Sequence, residues 1–182
     1  GKDCKSPDII ALYVGSNEIR YNSLTEKLGS IDDVDFDTLI VKNTDGTYTY
    51  AEPKTVTEAY CILLHKVSVT YPNAEVYCFK VVPSAGGSLS TLNGTGRLPY
   101  AKLFNDMVDD IAAHYGAIVV DLVAAFELDP DNDGKATEEA FNTFQTYYHN
   151  DPHPNAKGFD IITECFVNAV VDNSKYIASI ET

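Results

Sequence analysis

The chain has 182 residues, of which 45% are hydrophobic, and we expect residues 1–182 to form a single domain. Its net charge is −14, from 13 basic and 27 acidic residues, which argues against nucleic acid or an anionic membrane surface as a partner. No apolar run approaches the roughly 20 residues that span a bilayer. No signal peptide is recognisable in the first residues.

The cysteines show no metal-ligand spacing. Cys61 and Cys165 fall on apolar faces of predicted helices and Cys78 in a predicted strand, which favours buried free thiols, with disulfides among the four cysteines as the alternative. The acidity, 12 tyrosines and the single methionine together suggest an extracellular or cell-surface bacterial protein.

Residues 7–14 form an apolar run that is too continuous for a strand with one solvated face, and such runs are typical of central parallel strands. A turn follows directly, Gly15-Ser16-Asn17-Glu18. Open α/β sheets place their ligand sites at this end of a strand. Taken alone, Asn17 is better explained as a turn residue that tolerates positive φ than as a ligand-binding side chain.

Residues 20–54 predict a polar excursion that contains a short hairpin, formed by residues 38–41 and 47–50. Long excursions inside a compact domain are often functional, so we expect this one to form a wall of the substrate cleft.

After this excursion, helical and strand patterns alternate along the chain. They predict a helix over 55–70, a strand over 74–82, a helix over 98–115 and a strand over 117–122. Such alternation indicates a parallel sheet that is covered by helices on both faces.

An acidic loop, Asp129-Pro130-Asp131-Asn132-Asp133-Gly134-Lys135, resembles the first half of an EF-hand or dockerin-type calcium loop. Asp129, Asp131 and Asp133 alternate as ligands do, the glycine allows a sharp bend, and the Lys135 carbonyl would be a further ligand. The final acid is displaced, because Ala140 takes its place and Glu139 lies one residue short. A solvated acidic turn is the alternative, since neighbouring acids repel one another unless a cation or solvent separates them.

A histidine between two prolines lies in the run Asn150-Asp151-Pro152-His153-Pro154-Asn155-Ala156-Lys157-Gly158. Proline fixes φ and disfavours helix in the preceding residue, which predicts a rigid, extended turn at His153. Asn155 can cap the helix that follows, whose apolar face carries Ile161, Ile162, Cys165, Phe166 and Ala169. A histidine held beside a carboxylate suits a general base, whereas the alternative is a surface turn whose histidine only caps local structure.

These two blocks resemble the third and last conserved blocks of the SGNH (GDSL-type) hydrolases, Gly-x-Asn-Asp and Asp-x-x-His-Pro-Asn-x-x-Gly. The resemblance implies a flavodoxin-like three-layer α/β fold with a parallel sheet. It also implies that His153 is the catalytic base, that Asp151 orients it, and that Asn17 on the Gly15 turn donates to the oxyanion. The family's acid stands three residues before the histidine, where this chain has Asn150, so either residue remains a candidate orienter. Glu18 replaces the family's other aspartate.

The same resemblance implies a serine block and a glycine block that would precede residue 1. The run 86–90, Gly-Gly-Ser-Leu-Ser, is not the serine block, because glycine replaces its aspartate and the run follows the wrong strand. We therefore expect a fragment without its N-terminal nucleophile strand, or one completed by an exchanged strand. Without that neighbour, the strand at 7–14 would be an exposed apolar edge.

The expected function is serine ester hydrolysis that removes acyl groups, such as acetyl, from a polysaccharide or a small ester. The chain alone should be nearly inert, because loss of the nucleophile costs on the order of 10⁶ in rate. The chemistry needs no cofactor, and calcium would be structural. The alternative is a non-catalytic SGNH-like module that binds calcium or acts in cell-surface interactions. A plain calcium-binding domain would leave the His153 and Asn17 blocks unexplained.

Overall fold

A computed structural model describes residues 6–20, 24–83, 97–148 and 153–178. Its strands are β1 (Ile9–Leu12), β2 (Ile40–Lys42), β3 (Tyr48–Tyr50), β4 (Glu75–Phe79) and β5 (Ile118–Val120). Its α-helices are α1 (Leu24–Lys27), α2 (Phe36–Leu39), α3 (Val56–Thr70), α4 (Leu98–Tyr115), α5 (Leu122–Ala125), α6 (Glu138–Gln145), α7 (Ala156–Asn173) and α8 (Lys175–Ala178). Short 3₁₀ helices span Glu18–Arg20 and Ile31–Asp33.

A parallel sheet of three strands in the order β1–β4–β5 forms the centre of the described structure. Strands β2 and β3 pair separately as an antiparallel hairpin, which confirms the hairpin predicted in the polar excursion. The sequence predicted a central strand at 7–14, but within the described residues β1 pairs only with β4 and lies at the edge of the sheet. Tyr13 and Val14, just after β1, are 46% and 38% exposed.

Helices cover both faces of the sheet, as the alternating pattern predicted. On β4, Tyr77 and Cys78 are consecutive residues, so their side chains point to opposite faces. The Cys78 thiol interacts with Tyr60 of α3 on one face. On the other face, the Tyr77 ring packs edge-on against Phe166 of α7, with 5.5 Å between centroids.

The two long central helices begin and end at residues whose chemistry explains the boundary. Thr55 caps α3 by accepting from the Glu58 N–H at 3.1 Å, and the Glu58 carboxylate reaches back to the Thr55 N–H at 3.2 Å. This reciprocal capping box satisfies two backbone donors. Helix α4 ends at Gly116, whose φ of 67° is the left-handed conformation that glycine adopts readily.

The described cysteines are free thiols, with Cys61 and Cys78 buried and Cys165 half-buried; Cys4 lies outside the described residues. No helix in the described part of the chain is long and apolar enough to cross a membrane.

Candidate active site

The Gly15 turn is held in place by close packing behind it. Gly15 has a φ of 112°, which other residues rarely adopt. A Cβ at this position would collide with the ring of Phe104 in α4. The Gly15 carbonyl accepts a hydrogen bond from the Ile19 N–H at 3.2 Å. The turn therefore has a fixed backbone, and it presents Asn17 as an exposed side chain.

Helix α7 places the His153 turn at the same edge of the sheet as Gly15. At the far end of α7, the Lys175 N–H donates to the Glu75 carboxylate at 2.7 Å, at the start of β4. In the middle of the helix, Phe166 packs over β4. The helix has 18 residues, about 27 Å, so its first turn and His153 lie at the carboxyl edge of the sheet.

Two tyrosines connect these turns. Burial raises the pKa of Tyr13, and an interaction with the Ser16 side chain in the Gly15 turn partly opposes that rise. Burial raises the pKa of Tyr148, and the neighbouring Tyr13 raises it further. Tyr148 in turn pairs with Pro154 in an isolated antiparallel bridge, directly beside His153. Tyr13 and Tyr148 thus link the strand that leads into the Gly15 turn with Pro154, the residue after His153.

Asn155 and the start of α7 hold the histidine turn against the end of α6. The Asn155 side-chain oxygen accepts from the Gly158 N–H at 3.1 Å, which confirms the predicted helix cap. Its amide donates to the Thr146 carbonyl at 2.7 Å. A Cβ on Gly158 would collide with the Tyr147 carbonyl and approach the Pro154 Cβ to 2.8 Å. Asparagine and glycine therefore serve packing here, and they leave His153 exposed at the edge.

The candidate orienting residues Asp151 and Asn150 lie outside the described residues, as does the run 86–90. The choice between the two orienters therefore stays a prediction. What the described residues provide is an imidazole and a carboxamide at one edge of the sheet. These groups are suited to accept a proton and to donate a hydrogen bond to an oxyanion.

The acidic loop is organised by Asp129. This residue is only 9% exposed, and its carboxylate accepts from the N–H groups of Asp133 at 3.1 Å and Gly134 at 2.8 Å. Gly134 provides the predicted sharp bend with a φ of 78°. The Asp133 carboxylate is paired with Lys135 at 2.8 Å, and this hydrogen bond is the main cause of its lowered pKa.

The remaining acids of the predicted calcium site are exposed. Asp131 lies at the surface of the loop, and Glu139 lies at the start of α6. Asp129 and Glu139 line the same depression, of about 550 Å³. Among the described residues no group of three or more His, Cys, Asp or Glu side chains is placed to hold a metal ion. The calcium site remains a prediction.

A charged cluster that the sequence analysis did not identify lies at the same edge of the sheet. The Lys80 ammonium contacts Asp109 at 2.8 Å and Asp121 at 2.9 Å. Burial opposes its charge, but the hydrogen bonds to the two carboxylates outweigh that effect and raise the pKa of Lys80. Lys80, Asp121 and Asp129 line a cavity of about 260 Å³. The available signal was positional, because Lys80 directly follows β4 and Asp121 directly follows β5.

Comparison of the chain with protein-family models, with curated proteins and with solved structures gave no match.

Proposed function

We propose that this chain is the carboxyl-terminal part of a serine ester hydrolase of the SGNH type, with that family's flavodoxin-like three-layer fold. The proposal is supported most by the Asn17 turn, which directly follows a parallel strand, and by the interaction of Tyr13, beside that turn, with Tyr148, which bridges to Pro154 next to His153. By the same resemblance, the substrate is an acyl ester, such as an acetylated polysaccharide or a small ester. The proposed location is extracellular or at the bacterial cell surface.

In this proposal the nucleophile is a serine on a segment outside the described residues. Its oxygen bonds to the ester carbonyl carbon while His153 accepts its proton and Asp151 orients the imidazole. The Asn17 side-chain N–H donates to the oxyanion of the tetrahedral intermediate. When that intermediate collapses, the alcohol leaves with the proton from His153. Water then hydrolyses the acyl-serine by the same steps in the same order.

The test uses the protein produced from its complete natural gene, with p-nitrophenyl acetate as substrate and a fluorophosphonate as covalent serine probe. His153→Ala should lower kcat by on the order of 10⁴–10⁶, and Asn17→Ala should lower it by about 10²–10³. His114→Ala is the matched control, because His114 is an exposed histidine near the end of α4. Undiminished turnover in His153→Ala would refute the base assignment.

Labelling by the probe separates the enzyme from the alternative. One serine adduct per chain, together with ester hydrolysis, supports the hydrolase. No adduct and no hydrolysis would overturn the proposal in favour of a non-catalytic binding or cell-surface module. Comparing Asp151→Ala with Asn150→Ala decides which residue orients His153, since the true orienter gives the larger loss of kcat.

We also propose that the acidic loop binds a structural calcium ion. The support is that the Asp129 carboxylate is held by two backbone N–H groups beside the Gly134 bend, and that acids recur at alternate positions of the loop as calcium ligands do. To bind, the cation would have to displace the Lys135 ammonium from Asp133. Lys135 can move away easily, because its side chain is 70% exposed.

Thermal unfolding with added Ca²⁺ or with EDTA tests this site, and Mg²⁺ at equal ionic strength is the control for screening. Ca²⁺ should raise the melting temperature, because a ligand that binds only the native state stabilises it. Asp131→Asn should reduce the rise in melting temperature that Ca²⁺ causes. Asp110→Asn, on the exposed side of α4, should leave that rise unchanged. Equal melting temperatures in Ca²⁺ and EDTA would remove the site.

A further inference from the structure

A further cavity, of about 230 Å³, lies at the amino edge of the parallel sheet, where β4 and β5 begin. Because the strands are parallel, the Gly15 turn, which follows β1, lies at the opposite edge. The wall of this cavity combines the starts of β4 and β5, the ends of α3 and α4, and Lys175 of α8. An apolar cavity of about 150 Å³ is large enough to bind benzene, so this one has room for a small organic ring.

Part of the wall is apolar and aromatic. Leu64 of α3 lines the cavity and is itself buried. Tyr71, which caps α3, and Tyr115, the last residue of α4, add two aromatic side chains to the same wall. Such a lining favours a ligand that carries an apolar or aromatic ring.

The rest of the wall favours positive charge. Helices α3 and α4 both end here, since their cap residues Tyr71 and Gly116 line the cavity. The C-terminus of a helix carries about half of one negative elementary charge. The Glu75 carboxylate is on the same wall and is held in place, because it accepts from the Lys175 N–H at 2.7 Å and from the Tyr77 hydroxyl at 3.3 Å.

Lys175 shows that this edge of the sheet accommodates an ammonium group. Its Nζ donates to the Asn73 carbonyl at 3.1 Å and lies over the Tyr176 ring, 5.0 Å from the centroid. A carbonyl oxygen and an aromatic face are both groups that bind ammonium ions. The ammonium of Lys175 is thus held at Asn73, whereas its backbone N–H holds Glu75.

We propose that this cavity binds a small organic ammonium ion, whose ring packs against Leu64 and Tyr115 and whose charge lies beside Glu75. A protonated amine donates a charge-assisted hydrogen bond to a carboxylate, which is stronger than a bond between neutral groups. The two helix C-termini add to this attraction. The net charge of −14 also attracts cations and opposes anions.

The probe is benzylamine, which is protonated at neutral pH, titrated into the protein produced from its complete natural gene. In ¹H–¹⁵N NMR spectra, the amide resonances of Ser68, Glu75 and Gly116 should shift and reach saturation. Benzyl alcohol has nearly the same shape without the charge, and it should bind about tenfold more weakly or less, because hydrogen bonds to charged groups contribute more. Benzoate should not bind.

Variants of the wall separate this cavity from general attraction to an acidic chain. Glu75→Gln should weaken benzylamine binding about tenfold, because it removes the charge but keeps an oxygen that accepts the Lys175 N–H. Glu164→Gln is the matched control, since Glu164 is exposed on α7, and it should bind as the wild type does. Ala117→Leu places bulk at the wall and should abolish binding. Lys175→Met should bind at least as tightly, because it removes a competing ammonium.

Four results would overturn the inference. No saturable shift with benzylamine would remove the site, and equal affinities for benzylamine and benzyl alcohol would remove its selection for charge. Equal weakening by Glu75→Gln and Glu164→Gln would leave only general attraction to the acidic chain. Tighter binding of benzoate, together with a loss of binding in Lys175→Met, would make it an anion site. Ester hydrolysis enters none of these measurements, so either proposal can fail while the other stands.

Discussion

The side chain of Asn155 donates a hydrogen bond to the Thr146 carbonyl, 2.7 Å away, while its oxygen accepts one from the Gly158 N–H at 3.1 Å. One residue thereby joins the end of α6 to the start of α7. The turn that carries His153 lies between these two attachments, so its position depends on both.

Asn155→Ala should lower the free energy of unfolding by about 1–2 kcal/mol, because it removes a helix cap and a second hydrogen bond. Asn155→Asp keeps the acceptor for Gly158 but loses the donor to Thr146, and its effect should be intermediate. Urea denaturation measures both. Asn173→Ala is the control, since within the described residues the exposed Asn173 amide donates to one carbonyl, that of Ala169. Equal losses at 155 and 173 would show that Asn155 does not join the two helices.

Gly15→Ala should destabilise the protein more than Gly116→Ala. Both glycines have positive φ, 112° and 67°, and an L side chain there costs about 1–2 kcal/mol. A Cβ at Gly116 meets nothing within 4 Å, whereas one at Gly15 would collide with Phe104. Overpacking against Phe104 should lower the free energy of unfolding of Gly15→Ala by about a further 1–3 kcal/mol.

Denaturant unfolding of the two single variants measures this difference. In a double-mutant cycle, Phe104→Leu should recover part of the Gly15→Ala loss, because the smaller side chain makes room for the Cβ. Equal losses of unfolding free energy in Gly15→Ala and Gly116→Ala would contradict a collision with Phe104. Strictly additive effects of Gly15→Ala and Phe104→Leu would contradict it as well.

Local signals in the sequence predicted the elements well. The apolar periodicity of α4 and the glycine after it place the helix at Leu98–Tyr115, where the structure has it. Asn155 was predicted as a cap because its side chain acts on a backbone group only three residues away. Both features depend on neighbours along the chain, which the sequence displays directly.

Features that depend on distant neighbours were not predictable in the same way. An apolar run such as 7–14 shows that a strand has surfaces to bury, but it does not show which segment lies beside it. The pairing of Lys80 with Asp109 requires knowing that α4 passes the end of β4. No local pattern contains that information, although polar residues directly after adjacent strands were a usable signal.

Lys80→Met should lower the free energy of unfolding at pH 7 by about 1–2 kcal/mol, because it leaves Asp109 and Asp121 as unpaired neighbours. The pKa of Lys80 is raised in the folded state. Its stabilisation is therefore complete below the ordinary lysine pKa of 10.5 and is lost as the pH rises through the higher folded value. On the alkaline side, the difference in unfolding free energy between wild type and Lys80→Met should therefore narrow in that range.

Guanidinium is unsuitable for this measurement because it screens charge, so urea at constant ionic strength is required. Lys135→Met is the control: that side chain is 70% exposed and its pair with Asp133 should contribute nothing measurable. If Lys80→Met lowers the free energy of unfolding no more than Lys135→Met does, the ion pairs of Lys80 with Asp109 and Asp121 do not stabilise the protein.

His65 should make the protein less stable in mild acid. Its Nδ1 lies 3.1 Å from the Tyr50 hydroxyl, and the Tyr48 ring packs edge-on at 4.5 Å between centroids. Burial lowers the pKa of His65 from its ordinary value of 6.5. The neutral ring is thus favoured in the folded state, so the stabilisation is complete above pH 6.5 and is lost as the pH falls through the lower folded value.

Urea unfolding between pH 7 and pH 5 measures this effect, and an NMR titration of the His65 ring gives its pKa directly. His65→Gln should reduce the dependence of unfolding free energy on pH, because it removes the group that must take up a proton. His114→Gln should leave the His65 contribution intact, since exposed His114 stacks on Phe36 and lies on α4. If the free energy of unfolding depends on pH identically in wild type and His65→Gln, the lowered pKa of His65 is contradicted, whatever the absolute stability of the variant.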